Sequence, residues 1–332
     1  VPDSRTIDEL IEDKISGGDW GNHAGHSISN LVNVSTMGLQ VTNAVLKEGK
    51  AGVALTLQTM VKRLGMPVIR QAVKQVMKEL GNQFVLGENI TMAMSRADFY
   101  EAKGFTYSYD MLGEAAHTSS DAKKYYDAYS DAIESLSGSC KGNVNENPGV
   151  SIKLSALHPR YEMSNKRRVM AELVPRVMEL AIKAHAYNMG FNIDAEEADL
   201  LDLSLSVIEN VLSSKELEGW NGFGVVIQAY GRRAPYIIDW IYALSEKFNR
   251  KIMVRLVKGA YWDAEIKRCQ VLGLKDFSVF TQKSYSDISY IACAHKLFGM
   301  IDRIYPQFAT HNAHTVAAVK HFGRQVNPDQ FE

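Results

Sequence analysis

Residues 251–262 read Lys251-Ile252-Met253-Val254-Arg255-Leu256-Val257-Lys258-Gly259-Ala260-Tyr261-Trp262. A short aliphatic run that ends in a lysine, a glycine and two aromatics has the pattern of a buried strand running out into a functional loop. Moving outward from it, five more short apolar runs have the same form: Phe105–Leu112, Val150–Leu157, Gly190–Glu196, Gly222–Tyr230 and Tyr305–Asn312. Amphipathic stretches lie between them. Leu173, Val177, Leu180 and Ala184 make one helical face, and Leu201, Leu205, Ile208, Val211 and Leu212 a second. Ile237, Ile238, Ile241 and Leu244 make a third, and Ile288, Ile291, Ala292 and Leu297 a fourth. Strand and helix in alternation predict βα units around a parallel sheet. A doubly wound dinucleotide fold would carry G-x-G-x-x-G after its first strand. No strand here is followed by it, and the polar residues gather at the strand C-terminal ends, so a βα barrel is the expected fold class.

Five successive strands bring an inward polar group to that end. The first offers Asp110. On the second, Ser151, Lys153 and Ser155 share a face opposite Ile152 and Leu154, and on the third Asn192, Asp194 and Glu196 share one. The fourth carries Gln228, the fifth Arg255 and Lys258. A buried, unpaired ammonium costs several kcal/mol, so Lys153 needs a partner or a ligand. Lys153, Arg255 and Lys258, balanced by Asp110 and Asp194, suit an anionic ligand, with arginine as a planar fork and lysine as a point charge. Gly259 allows close backbone approach, and Tyr261 and Trp262 offer faces for a flat ring. His311 follows the last strand with no H-x-H or HExxH spacing, so no metal is expected there. A hydrogen bond to a cofactor is the favoured role. Met37, Met60, Met66 and Met77 read as core fillers, and Lys166, Arg167 and Arg168 as a solvated helix start.

Composition narrows the classes. Hydrophobic residues make up 46% of 332 residues, which excludes a disordered chain. Lys plus Arg number 37 and Asp plus Glu 38, which argues against binding nucleic acid or anionic membrane through bulk charge. Three widely spaced cysteines fit reduced thiols rather than a disulfide framework. No apolar run reaches the length of a membrane span, and no signal segment opens the chain. Residues 1–95 read as a helical arm, with Thr6 and Glu9 spaced for a capping box and Pro67 placed to open a helix. Residues 96–332 carry the strand pattern.

These strings resemble the proline dehydrogenase domain of the bifunctional proline utilisation flavoenzymes, the PutA family. The resemblance runs through Glu12–Gly18, Tyr109–Ala116, Ser151–Tyr161, Asn192–Glu197, Arg255–Trp262 and Tyr305–Thr315. It implies a distorted (βα)8 TIM-type barrel preceded by a helical arm, with FAD at the strand ends. It implies oxidation of L-proline to Δ1-pyrroline-5-carboxylate by hydride transfer from C5 to flavin N5, with electrons passed to a membrane quinone. That is the first step of proline catabolism to glutamate. By the same resemblance Arg255 lies near N5 and Lys153 pairs with the substrate carboxylate. Asp194, Tyr261, Ala260 and Asp110 belong to the proline pocket. Gln228, Arg255, Val257, Lys258, Gly259, Ala260, Trp262, Thr281, Lys283, Thr310, His311 and Asn312 line the FAD.

Six strands are counted where the family barrel has eight, and no Arg-Arg pair follows the last of them. The expectation is therefore a barrel lacking its last two strands and final helix. A downstream aldehyde dehydrogenase domain, no nucleic-acid contact from this segment, and a cytoplasmic location with peripheral membrane association are expected. Two alternatives stand beside this reading: a Schiff-base aldolase using Lys153 or Lys258, and an inactive assembly or docking fragment.

Overall fold

The strands that carry the polar groups are short, and their shortness decides where those groups go. The computed structural model describes residues 84–332 and, before them, residues 3, 5, 6, 9, 70, 74, 77, 78 and 81. Among the described residues the order is α1 (Ile90–Glu101), β1 (Ser108–Asp110), α2 (Ser119–Leu136), β2 (Gly149–Ile152), α3 (Lys166–Ala186), β3 (Gly190–Ile193), α4 (Leu201–Leu212) and β4 (Phe223–Gln228). It continues with α5 (Ala234–Lys247), β5 (Ile252–Val257), α6 (Trp262–Val271), α7 (Lys283–Phe298), β6 (Ile304–Phe308) and α8 (Ala313–Phe322). The chain divides into two compact units, Val1–Asp98 and Phe99–Glu332.

In the second unit the six strands form one parallel sheet in the order β1-β2-β3-β4-β5-β6. Sequential order with parallel pairing throughout is the βα-barrel arrangement, without the order reversal of a doubly wound sheet. Pairing is described between consecutive strands, from Ser108↔Gly149 to Leu256↔Phe308. β1 and β6 are its outer strands.

Each strand sends alternate residues to opposite faces. Val150, Ile152, Phe191, Ile193, Val254 and Leu256 are at most 2% exposed and pack under the helices. Each such side chain contributes about 1.5–3 kcal/mol on burial. The other face carries Ser108, Asp110, Ser151, Lys153, Asn192, Asp194, Gln228 and Arg255. Close packing inside it requires Gly224, because a Cβ there would lie 2.0 Å from Asn192 Oδ1. On α3 the expected face is the buried one: Leu173, Val177, Leu180 and Ala184. Local signals set the helix starts. Thr118 and Asp121 form a capping box on α2, and Pro235 sits in the first turn of α5.

Several readings need correction. All six strands are shorter than the apolar runs predict. Phe105 and Leu112 lie beyond the ends of β1 and are 59% and 70% exposed. Leu154–Ala156 is a 3-10 turn, so Ser155 leaves the strand face. The ladder does extend one residue past some ends, as with Asp194 N–H to Ile152 O at 2.9 Å. On α4 the buried set is Leu203, Val207, Ile208, Val211 and Leu212, with Leu201 and Leu205 only partly covered. On α7 it is Tyr290, Cys293, Ala294, Leu297 and Phe298, while Ile288 is 65% exposed. Short polar residues, Ser286 and Ser289, occupy that buried face and disguise it.

Most of the expected helical arm lies outside the described residues. Those described there include Arg5, Thr6, Glu9, Arg70, Lys74, Met77, Lys78 and Gly81, all helical. Thr6 is not the cap. Asp3 accepts from the Thr6 N–H at 2.9 Å, and Glu9 pairs with Arg5 at 3.0 Å. Met77 is 66% exposed and fills no core. Met37, Met60, Met66 and Pro67 are outside the described residues.

Candidate active site

Lys153 follows the end of β2 in extended backbone and points into the strand-end face. Its ammonium donates to Asp110 Oδ2 at 2.7 Å and to Asp194 Oδ2 at 2.9 Å. Burial alone would push its pKa down. The Asp194 charge and the two hydrogen bonds outweigh that and hold it above the ordinary lysine value. Burial pushes the Asp194 carboxyl up, against the pull of Lys153 and Arg255. The short contacts make the arrangement an ammonium between two carboxylates. An ammonium has three donors, so one proton of Lys153 remains for a ligand. Asp110 Oδ1 is buried with no partner.

Arg255 on β5 spans the face. Its Nη1 donates to Ser151 Oγ and its Nη2 to Ser108 Oγ, both at 2.8 Å. Asp194 Oδ1 is 3.7 Å away.

A cavity of about 620 Å³ opens beside it, within the usual size of ligand sites. Lys153, Asp194, Gln228, Arg255, Val257, Lys258, Gly259, Ala260, Tyr261, Lys283, Thr310, His311 and Asn312 line its wall, with Ala195, Val226 and Ala309. Gly259 has φ +139°, and a Cβ there would sit 2.5 Å from the Tyr230 ring, so only glycine fits this turn. Gln228 braces the loop: Nε2 donates to Glu196 O at 2.9 Å, and Oε1 accepts from Ala260 N–H at 3.1 Å. Lys258 and Lys283 both donate to Asp287, one to each oxygen. Asn312 caps α8, its Oδ1 accepting from Thr315 N–H at 3.0 Å.

At the rim the Tyr261 hydroxyl donates to Glu114 at 2.9 Å. Burial, then that hydrogen bond, pushes the phenol's pKa up. Glu196 accepts from Ser155 N–H at 3.1 Å, and burial pushes its carboxyl up to about 7. A smaller space of about 60 Å³ lies behind the sheet against α4 and α5. Ile193, Val225, Ile227, Leu205 and Ile237 dominate it, so it is a packing gap rather than a reaction site. Among the described residues no cluster of three or more His, Cys, Asp or Glu could hold a metal ion.

Of the residues that the resemblance assigns to the proline pocket and the FAD, three stand off the cavity wall, and Ser151, Ser155, Asn192 and Glu196 also lie off it. Asp110 lies one hydrogen bond behind Lys153. Trp262 gives its indole N–H to Phe280 O at 2.9 Å, and Thr281 is exposed beside it. Sequence reasoning overlooked Ser108, Asp287 and Glu114 as members of the site. Asp287 was findable, four residues beyond Lys283 on one helix face. Ser108 was findable as the residue sharing a strand face with Asp110. Glu114 carries no periodic signal.

A family model described as "Proline dehydrogenase" matches residues 93–332. A second, "DNA-binding domain of Proline dehydrogenase", matches residues 1–84. Even charge over the whole chain, the ground for expecting no nucleic-acid contact, does not speak to a local basic surface. The bifunctional protein PutA of Salmonella typhimurium is 49% identical over 100% of this chain and 25% of its own length. PutA of Rhizobium meliloti is 48% identical over 100% of this chain and 27% of its own. The chain thus spans about a quarter of the length of these PutA relatives. A solved Bradyrhizobium japonicum PutA (a D778Y mutant) aligns with TM-score 0.73 at 45% identity, covering 100% of this chain and 33% of that one. PutA from Bdellovibrio bacteriovorus aligns at TM-score 0.76 and 21% identity over 98% of this chain and 36% of that one, a likeness of fold.

Proposed function

The chain belongs to the proline dehydrogenase family, and we propose that its strand-end site oxidises L-proline to Δ1-pyrroline-5-carboxylate with FAD as cofactor. This would be the first step of proline catabolism to glutamate. We further propose a membrane quinone as electron acceptor, an aldehyde dehydrogenase domain downstream, and a cytoplasmic location with peripheral membrane contact. Among the described residues no helix is long and apolar enough to cross a membrane. The division into an arm, 1–95, and a catalytic unit, 96–332, is part of the same proposal.

The observation that carries this reading is the adjacency of two differently charged walls. One holds Lys153 between two carboxylates. The other, across the same cavity, holds Gly259 with Arg255, Lys258 and Lys283. The residues fit FAD. Gly259 lets the loop turn tightly against the Tyr230 ring at the cavity wall, and the lysines and arginine suit a pyrophosphate and an electron-rich ring. Bound there, FAD would supply the hydride acceptor. Lys258, Gly259, Lys283, Gln228, Val257, Ala260, Thr310, His311 and Asn312 would hold it, with Trp262 and Thr281 at the rim.

The chain's own groups then have defined tasks. Lys153 offers its remaining proton to the substrate carboxylate, while Asp110 and Asp194 keep it ionised and oriented. Tyr261, fixed by Glu114, and Ala260 close the pocket. Arg255 sets a cation where negative charge develops, so its field acts on the transition state. Positioning carries the remainder of the rate.

The aldolase alternative needs a neutral amine. Lys153 is held as an ammonium by two carboxylates, and Lys258 is paired to Asp287, which weighs against it. The test is FAD titration of the protein, followed by L-proline with an artificial acceptor. Stoichiometric flavin uptake and proline-dependent acceptor reduction are expected. Colourless protein trapped covalently by borohydride with a carbonyl substrate would overturn the reading.

A further inference from the structure

The Arg255 guanidinium crosses the strand-end face to reach partners 104 and 147 residues earlier in the chain. Both partners are neutral hydroxyls. Ser108 and Ser151 also touch each other, Oγ to Oγ at 2.9 Å, so the two form a linked pair beneath the fork. Each hydroxyl has one proton and two lone pairs. Each therefore accepts from the guanidinium, and one donates to the other. Ser151 is 2% exposed, so its hydroxyl has few other partners. The nearest carboxylate oxygen, Asp194 Oδ1, is 3.7 Å away, and Asp194 is engaged with Lys153 at 2.9 Å.

We propose that Ser108 and Ser151 are positioning residues that anchor Arg255 without neutralising it. A carboxylate at either position would hold the fork as firmly but would cancel the field it projects. Two hydroxyls fix the direction of the guanidinium and leave its charge for the ligand. The inference rests on the reading that the adjoining cavity takes FAD.

The test uses the FAD-loaded protein and the variants Ser108→Ala, Ser151→Ala, the double variant, and Ser108→Thr, which keeps the hydroxyl. The readouts are FAD dissociation constant, flavin midpoint potential and anaerobic reduction rate with proline. Each alanine should weaken FAD binding or slow reduction about tenfold, as expected for a hydrogen bond to a charged group. The potential should fall to a more negative value, and Ser108→Thr should stay close to wild type. In an Arg255→Met background the serine substitutions should change the potential no further, since the serines act through that side chain.

Folded alanine variants with unchanged potential and affinity would overturn the proposal. So would equal losses with and without Arg255. The order of the Arg255 guanidinium, read from its nitrogen resonances with and without the serines, separates this proposal from the functional reading. A wild type that takes up no FAD, yet orders Arg255 only when both hydroxyls are present, overturns the functional reading and upholds the anchor. A guanidinium equally ordered without the serines overturns the anchor.

Discussion

On the side of the site built by β1 to β3, Lys153 is closed in by Asp110 and Asp194 at 2.7 and 2.9 Å. On the side built by β4 to β6, Arg255 rests on two serine hydroxyls, while Lys258 and Lys283 share the single carboxylate of Asp287. The first side is charge-saturated: an ammonium with two counter-ions and one proton left over. The second keeps an excess of positive charge facing a cavity. One sheet thus carries a rigid clamp suited to a zwitterion and a positive cradle suited to a polyanion. The even charge of the whole chain conceals both.

Four substitutions would break or sharpen that contrast. Arg255→Met removes the cation from the second side. Proline-dependent reduction should fall by about a hundredfold or more, the scale lost when one preorganised transition-state contact is removed, and flavin should bind more weakly. Stopped-flow reduction and flavin occupancy read both. Lys153→Met leaves two carboxylates facing each other on the first side. Stability should drop by about 3 kcal/mol, measured by urea unfolding, and recover on acidification as one carboxylate takes up a proton. The KM for proline should rise steeply.

Glu196→Gln probes the loop that Glu196 and Gln228 brace between the two sides. Burial raises the folded-state pKa of Glu196 to about 7 from the ordinary 4.5. Between those values the folded state binds more protons than the unfolded chain, so this group's stabilisation is full at low pH and is lost as pH rises to about 7. The glutamine variant should lose that part of the downward slope, as seen by unfolding free energies across the range. Asp287→Asn is expected to have the smallest effect. Its pairs are part-exposed, so stability should change by less than about 1 kcal/mol. Flavin should bind a few-fold more tightly, most clearly at low salt where the freed lysines are least screened.

Much of this could be read in the sequence because burial on both faces of a parallel strand writes itself as an apolar run. Ile252–Val257 and Phe223–Gln228 were recognisable for that reason. Lys153, Asp194 and Arg255 stood out because a charge in such a run has to be paired. What stayed hidden depends on contacts between distant segments. Nothing near Ser108 announces that a guanidinium 147 residues away will land on it. The strand ends misled, since ladder hydrogen bonds give way to the 3-10 turn at Leu154–Ala156 without any change in hydrophobicity. The face of α7 misled because serines are buried there while Ile288 is exposed.

The central claim is that the two sides act together on proline and a bound flavin. It is tested most directly by mixing the FAD-loaded protein with L-proline under anaerobic conditions and following the flavin's visible absorbance, in wild type and in Arg255→Met. The account predicts rapid, saturable bleaching in wild type, slowed by about a hundredfold or more in the variant at equal flavin occupancy. Flavin that is bound but unbleached by proline, or a variant that bleaches as fast as wild type, would contradict it.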